Sequence, residues 1–213
     1  MVTMTQQRAT ARRDEIIRAA AAEFDEVGYA AASLSSIAAR LGRTKGAMSY
    51  HFSSKASLAQ EVAEYHFRQW DGVLAGIRAD GYVGLETMIV VSFVVAIRYR
   101  DDLLVRASIR LQHDAGLREV KLPPPYVWWT AMTRSLLAEG QEAGQIDADV
   151  DLDAAAEVLV EAFTGVQLVA HSMSHAQDIF ERVERYWLLL LPGIGVADGP
   201  ALVSRLGAAS AEY

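Results

Sequence analysis

The sequence contains no cysteine, so disulfides and thiol chemistry are excluded, which suits a reducing cytoplasm. It also lacks a long apolar run. Met88 to Ile97 spans about ten residues and includes Ser92, which is too short to cross a bilayer. The N-terminus is polar and basic rather than signal-like. These absences predict a cytoplasmic protein with no membrane segment.

Strand patterns and catalytic motifs are missing as well. From Leu85 onward the chain shows neither strand alternation nor an Asn-Gly hairpin signal. It has no Ser-His-Asp order, phosphate loop or GxGxxG motif. We therefore predict an all-α protein that is not an enzyme and uses no cofactor.

Positive charge is scarce overall, since the net charge is −7, but it is concentrated at one end. The first 55 residues hold eight Lys and Arg against five Asp and Glu, a net charge of +3. The rest of the chain carries −10. DNA affinity depends on local neutralisation of phosphates rather than on the total charge. The charge distribution therefore leaves the N-terminal end as the candidate DNA-binding part.

Helical periodicity is what the chain has in abundance, and 52% of its residues are hydrophobic, enough for a sizeable core. The first helix is predicted over residues 10–27, with Gly28 ending it. Residues 1–9 are expected to form a mobile arm, and Arg8, Arg12 and Arg13 either touch DNA or are solvated. Later helices are predicted over residues 55–79, 84–99, 101–114, 125–143, 151–172, 175–192 and 201–209.

The segment LSSIAARLGRTKGAMSYHF, residues 34–52, reads as two short helices joined by a tight turn. Ser33 is placed to cap the first helix, and Gly42 can end it with a positive φ. Met48 and Phe52 lie four residues apart on the second helix, so both can pack inward. Lys45 and Ser49 share a small, basic, hydroxyl-bearing face that suits a DNA groove. The pattern predicts a helix-turn-helix whose recognition helix covers residues 45–52.

The helix-turn-helix and its flanks resemble the N-terminal domain of TetR-type transcriptional regulators. The resemblance runs through IIRAAAAEFDEVGYAAASLSSIAARLG and TKGAMSYHFSSKASL, within residues 14–58. It implies a DNA-binding domain at residues 1–54 and a ligand-binding and dimerisation domain at residues 55–213. The family usually has a small apolar residue where this chain has Arg43, and a phosphate-binding Tyr where it has Ser49. The predicted DNA-contacting residues are Ser33, Ser35, Arg43, Thr44, Lys45, Gly46, Ala47, Ser49, Tyr50, His51 and Lys55.

An aromatic segment, LPPPYVWWT (residues 122–130), is the main candidate for a ligand site. Trp129 can line an apolar pocket to which Tyr126 supplies a polar tip, although both also suit a plain core. Gln112 lies on an otherwise apolar helix, where it either hydrogen-bonds a ligand or faces solvent.

A closer resemblance covers most of residues 80–190. DGYVGLETM, LVRASIRLQ, LPPPYVWWT and EAGQIDADVDLDAAAEVLVEAFTGVQLV look like the sensing domain of γ-butyrolactone receptors, and most of all the receptors for alkyl-furan carboxylic acids. The resemblance implies a repressor released by a small lipophilic signal: a γ-butyrolactone, a butenolide or a furan. Phe67 stands where furan receptors have a tyrosine. The predicted ligand-binding residues are Phe67, Gln112, Tyr126, Trp129 and Phe163.

The last two long helices are apolar on wide faces, which indicates a subunit contact as well as core packing. The resemblance implies that they form a four-helix interface in a homodimer. A two-fold dimer places its recognition helices roughly 34–36 Å apart, and this predicts a near-palindromic double-stranded DNA operator.

Two alternatives remain open at this point. A TetR-type regulator of this kind could instead sense a drug, an antibiotic or a fatty acyl compound. In a different class, His113, His171 and His175 could serve a helical metal-dependent enzyme. His171 and His175 have a spacing that can hold zinc but lack an HExxH glutamate, so we predict no metal site.

Overall fold

A computed structural model of the chain describes residues 4–44, 46, 48, 50–112, 114, 117 and 125–213. These residues form helices without strands, which confirms the all-α prediction. The α-helices are α1 (Met4–Ala31), α2 (Leu34–Arg40), α3 (Lys55–Ala79), α4 (Leu85–Asp101), α5 (Leu103–Gln112), α6 (Pro125–Glu142), α7 (Leu152–Ser174), α8 (Ile179–Leu190) and α9 (Gly199–Ala209). Two short 3₁₀ helices cover Leu191–Ile194 and Ser210–Glu212.

The chain divides into two compact units. The N-terminal unit takes its described residues from Met1–Gln69 and Asp102–Pro123, and the C-terminal unit from Trp70–Asp101 and Pro124–Tyr213. The predicted division after residue 54, into a DNA-binding and a ligand-binding domain, is a division by function and stays a prediction. The boundary between the compact units falls inside α3, and α5 joins the N-terminal unit because its apolar face packs into that unit's core.

The core of the N-terminal unit confirms the predicted buried faces of the first helix and the helix-turn-helix. Helix α5 adds Leu104, Ala107 and Leu111 to this core, and α3 adds Leu58 and Val62. The residues predicted from periodicity and found buried are Ile16, Ile17, Ala20, Phe24, Ile37, Ala38, Met48 and Phe52.

Helix α1 is longer than predicted. It begins at Met4 rather than near Thr10, so the predicted mobile arm is wrong for the residues from Met4 onward. The predicted end at Gly28 corresponds to a break in the helix, where the backbone takes φ 80° and ψ 166°. Glycine suits this break because a side chain is disfavoured at positive φ.

Helix α4 is the centre of the C-terminal unit. Twelve of its residues are buried, among them the whole run Thr87 to Ala96. It packs against α6, α8 and α9, which explains why it is apolar on every side. Helix α7 packs on α6 and α8. Among the helices that the structure describes, none has both the length and the hydropathy of a membrane span.

Candidate DNA interface and ligand-binding residues

The first helix of the helix-turn-helix is capped as predicted. The Ser33 hydroxyl accepts a hydrogen bond from the Ser36 amide, and the Ser36 hydroxyl accepts one from the Ser33 amide, both at 3.0 Å. This reciprocal capping satisfies two amides at the start of α2. After α2, Gly42 adopts a φ of 62°, so the predicted left-handed stop is confirmed.

The described part of the recognition segment separates buried from exposed residues. Met48 and Phe52 are buried, at 0% and 4% exposure, whereas Tyr50 is 90% exposed and Gly46 is open to solvent. Tyr50 therefore presents its phenol to solvent next to the core residues of the same segment. Lys45, Ala47 and Ser49 lie outside the described residues.

The other predicted DNA-contacting residues surround this surface. Ser35 and Thr44 are exposed. Arg43 Nη2 pairs with Glu15 Oε2 at 3.0 Å, so its charge is partly balanced within the unit. His51 is half-buried, and its ring meets the Tyr50 ring edge-on at 5.3 Å between centroids. An edge-on imidazole of this kind limits the orientations open to the exposed phenol ring.

Arg40 ties α2 to α1, a role that the sequence pattern did not indicate. Its guanidinium pairs with both Glu23 and Glu26, which lie three residues apart on α1. The hydrogen bond from Arg40, followed by one from Ser36, lowers the pKa of the Glu23 carboxyl despite its burial. This double pairing fixes the orientation of α2, and therefore of the turn that follows it.

Lys55 has a different environment from the one predicted. We predicted a phosphate contact, but its Nζ donates to the carbonyl oxygens of Tyr29 at 2.7 Å, Ala32 at 2.9 Å and Ala30 at 3.5 Å. The ammonium also lies 4.2 Å from the centroid of the Tyr29 ring. A lysine has three N–H donors, and these carbonyls occupy them. Lys55 therefore closes the C-terminal end of α1, and contact with phosphate would require it to leave this position.

Helix α5 also forms hydrogen bonds with the C-terminal part of α1. Arg106 Nε donates to Asp25 Oδ2 at 2.9 Å, and Arg110 donates to the Asp25 carbonyl oxygen. The Tyr29 amide donates to Asp114 Oδ2 at 2.8 Å, just after the break at Gly28. We call these contacts, together with those of Lys55, the α1 clasp. It holds the segment that leads directly into the helix-turn-helix.

The N-terminal arginines are partly committed to internal contacts. Arg13 pairs with Glu61 and lies 5.3 Å from the centroid of the Phe52 ring, so it belongs to the body of the unit. Arg12 is exposed, and the side chain of Arg8 lies outside the described part. Of the arginines predicted for a DNA-touching arm, Arg12 is the one that the described structure leaves on the surface.

Trp129 belongs to a cluster of three indoles in the C-terminal unit. Its ring lies 4.8 Å from that of Trp128 and 5.2 Å from that of Trp70, edge-to-face in both cases. Trp128 and Trp129 are half-buried, whereas Trp70 is 1% exposed. The sequence did not single out Trp70, because it lies 59 residues before Trp129 on a helix with its own apolar stripe.

Tyr126 and Phe163 are the other candidates in this unit. Tyr126 is 40% exposed, and partial burial raises the pKa of its phenol, which therefore stays protonated and able to donate. Phe163 is half-buried and meets the buried Tyr186 ring edge-on at 5.8 Å. Tyr186 in turn donates to the Leu159 carbonyl at 2.9 Å.

Gln112 and Phe67 belong to the N-terminal unit. Gln112 is half-buried, and its buried Nε2 has no hydrogen-bond partner among the residues that the structure describes. A buried amide donor without a partner is costly, which is consistent with a donor reserved for a ligand. The side chain of Phe67 lies outside the described part.

Two of the three histidines of the metal alternative, His171 and His175, lie in the described residues. His171 and His175 have ring centroids 6.3 Å apart, and Tyr99 is the aromatic neighbour of His171. Within the described ranges, no three His, Cys, Asp or Glu side chains lie close enough to hold a metal ion. His113 lies outside them.

Comparison with known proteins decides the family. Residues 16–62 match bacterial regulatory proteins of the tetR family. Residues 82–196 match the C-terminal domain of tetracycline-repressor-like proteins. The chain belongs to the TetR family. These two matches cover the helix-turn-helix and most of the C-terminal unit of this TetR-family chain.

Three known proteins are similar to this TetR-family chain over most of its length. The A-factor receptor protein of Streptomyces griseus is 32% identical, over 89% of this chain and 66% of that relative, so the chain spans about two thirds of its length. A solved structure concerning control of antibiotic production by bacterial hormones is 38% identical, with a TM-score of 0.74, over 86% of this chain and 95% of that one. An ArpA-like γ-butyrolactone receptor is 30% identical, with a TM-score of 0.81, over 95% and 99%. The predicted resemblance to this branch is confirmed.

Proposed function

We propose that this chain is a homodimeric transcriptional repressor that leaves its DNA operator when it binds a small autoregulator. The ligand class is a γ-butyrolactone, a butenolide or an alkyl-furan carboxylic acid, and the target genes serve antibiotic or other secondary metabolism. A cytoplasmic location follows from the proposed DNA partner. The chain is proposed to act by binding alone, without a catalytic step.

The proposal of DNA binding rests on the recognition segment, which has both buried and exposed residues. Met48 and Phe52 are buried in the core, while Tyr50 and Gly46 face outward on the same short stretch. An exposed phenol can donate to a phosphate or a base edge, and a glycine lets the backbone approach the groove closely. We keep Lys45, Thr44 and Ser49 as further contacts and assign Lys55 to the α1 clasp instead.

The ligand part rests on the aromatic character of the C-terminal unit and on the relatives. Trp129, Tyr126 and Phe163 offer apolar faces and one protonated phenol, which suit a lipophilic molecule with a carbonyl or carboxylate head. Gln112 offers an amide donor. We propose Trp129, Tyr126 and Phe163 as ligand contacts in the C-terminal unit, and we keep Gln112 and Phe67 of the N-terminal unit as separate candidate contacts.

Ligand and DNA are proposed to be linked through conformation. A ligand that favours a state with α3 shifted weakens operator binding, and operator binding must then weaken ligand binding by the same factor. The α1 clasp joins α5 and the start of α3 to the segment before the helix-turn-helix, so movement of either helix reaches α2. In a two-fold dimer, a change in the distance between the two recognition helices is sufficient to prevent both from binding their half-sites of a palindrome at once.

Mobility shift of the DNA upstream of the chain's own gene tests the proposal. Purified protein should shift this DNA, and affinity should fall steeply with salt, because phosphate contacts release counterions. Synthetic γ-butyrolactones and 2-alkyl-4-hydroxymethylfuran-3-carboxylic acids are then added to the complex. Release by either class supports the proposal. Release only by drugs or fatty acyl compounds would favour the alternative sensor, and absence of any specific shift by folded protein would contradict the repressor.

A further inference from the structure

The indole of Trp129 packs against the buried indole of Trp70. The two rings meet edge-to-face with centroids 5.2 Å apart and an interplanar angle of 71°. Trp70 is 1% exposed, so it is a supporting residue rather than a surface one. Edge-to-face pairs depend on geometry, because the positive edge of one ring must meet the negative face of the other. The position of Trp70 therefore constrains the orientation of Trp129.

Trp70 in turn contacts the cationic side chain of Arg98. The guanidinium carbon of Arg98 lies 5.7 Å from the centroid of the Trp70 ring, within the range of a cation–π contact. On α4, no charged residue lies between Glu86 and Arg98. Its planar guanidinium can lie over an indole and donate in its own plane at the same time.

Arg98 uses this second capacity on Tyr213. Its Nη2 donates to the main-chain oxygen of Tyr213 at 2.8 Å. The Tyr213 hydroxyl donates to Asp80, and its ring lies against Gly76, 3.7 Å from where a Cβ would be. Burial, followed by the bond to Asp80, raises the pKa of the Tyr213 phenol, so it keeps the proton that it donates. Tyr213 is thus fixed at its main chain, its ring and its hydroxyl.

We propose that Arg98 and Tyr213 are positioning residues for the ligand site. Tyr213 holds Arg98, Arg98 holds Trp70 and Trp70 sets the orientation of Trp129, which contacts the lipophilic ring or chain of the signal. This inference rests on the proposed ligand-binding function of Trp129. Its consequence is specific: disturbing the relay lowers affinity for the signal and leaves the affinity of the ligand-free protein for its operator unchanged.

The relay is tested with Arg98→Gln and Tyr213→Ala. Arg98→Gln keeps a polar side chain but removes the cation, and Tyr213→Ala removes the ring and hydroxyl that locate the main chain at that point. The matched control is Arg78→Gln, since Arg78 is also in the C-terminal unit and pairs with Glu139 at 2.7 Å. Protein labelled with 5-fluorotryptophan gives one fluorine signal for each of its four tryptophans, assigned by single Trp→Phe variants.

The fluorine spectrum reports on the relay without any ligand. The Trp70 and Trp129 signals should move in Arg98→Gln and Tyr213→Ala, and stay in place in Arg78→Gln. Trp187 serves as the internal reference, because it is buried and its indole donates to Ser92 Oγ at 2.7 Å rather than to a residue of the relay. A Trp129 signal that stays fixed, or a Trp187 signal that moves equally, would overturn the proposal.

Release from the operator gives the functional readout. The concentration of γ-butyrolactone or furan acid that releases half of the complex should rise roughly fivefold in Arg98→Gln, the scale of a lost cation–π contact. Operator affinity without compound should match that of the unmodified protein. An unchanged release concentration would overturn the relay. If no compound releases even the unmodified protein, the proposed function fails, while the fluorine spectra still decide whether the relay exists.

Discussion

Inside each unit, the buried contacts between helices are of a different kind. In the N-terminal unit, charged groups join the helices: Arg40 to Glu23, Arg106 to Asp25 and Lys55 to main-chain carbonyls. In the C-terminal unit, ion pairs such as Arg78–Glu139 lie toward the surface, and buried aromatic pairs such as Trp70–Trp129 and Phe93–Phe180 join the helices inside. Charge-assisted hydrogen bonds are directional, whereas aromatic pairs bury large apolar surfaces.

This difference matches the two proposed tasks. A DNA-reading head must present a small polar surface at a fixed angle, and paired charges at α1, α2, α3 and α5 can set that angle. A sensing body must offer an apolar ligand a place with few competing polar groups, and the edge-to-face indoles are proposed to supply it. Variants that remove single contacts from either unit test this difference.

The largest effect is expected from the buried side of the recognition segment. Met48→Ala should destabilise the N-terminal unit by about 2–5 kcal/mol, because it removes a fully buried side chain and leaves a cavity. Chemical denaturation followed by circular dichroism measures this change.

Tyr50→Ala is the matched variant on the exposed side. It should change stability by less than about 0.5 kcal/mol, since the side chain is 90% exposed. It should nevertheless weaken operator binding roughly tenfold, on the scale of one lost polar contact. Equal operator affinity for Tyr50→Ala and the unmodified protein would count against the proposed surface.

Next in size is the ion pair of the α1 clasp. Arg106→Leu should cost about 2 kcal/mol, because Asp25 is left mostly buried without its cation, with some relief from partial exposure. The double variant Arg106→Leu with Asp25→Leu should recover much of this loss. If the double variant is as unstable as the single one, the cost comes from packing rather than from the unpaired charge.

A smaller effect is expected in the C-terminal unit from a buried hydrogen bond. Ser92→Ala removes the acceptor of the Trp187 indole, which is 1% exposed, and should cost about 1–2 kcal/mol. Ser35→Ala, an exposed serine, provides the control and should have no measurable effect. Thermal unfolding of the two variants compares them directly.

The smallest effect is expected on the pH dependence of stability. The Glu23 carboxyl has a lowered pKa in the folded protein, so its pairing with Arg40 contributes stability above the ordinary value of 4.5. This contribution is lost as pH falls through the lowered folded value. Glu23→Gln should therefore remove part of the pH dependence between neutral and acidic solution. An unchanged slope of stability against pH would show that the pair contributes little.

The sequence predicted the helices well because periodicity and caps are local. Ser33 and Gly42 signal the ends of α2 through their own chemistry, and Met48 and Phe52 reveal their buried face by spacing alone. Near the C-terminal end of α5, Gln112 was open to either reading from its neighbours. Its buried Nε2 favours a polar role over simple exposure.

Contacts between distant segments were out of reach of the sequence. The apolar stripe of α5 shows that one face is buried but not that the helix-turn-helix core covers it. Lys55 at a helix start suggests a phosphate, because nothing local tells that the carbonyls of Tyr29 and Ala32 lie within reach. Trp70 likewise meets Trp129 only through the tertiary fold.

The most direct test of the central claim is reciprocity between operator and signal. The affinity of the releasing compound is measured by calorimetry for the free protein and for the protein saturated with operator DNA. Linkage predicts weaker binding of the compound in the presence of operator, by the same factor by which the compound weakens operator binding. Equal affinity in both states, together with intact operator binding, would contradict a ligand-released repressor.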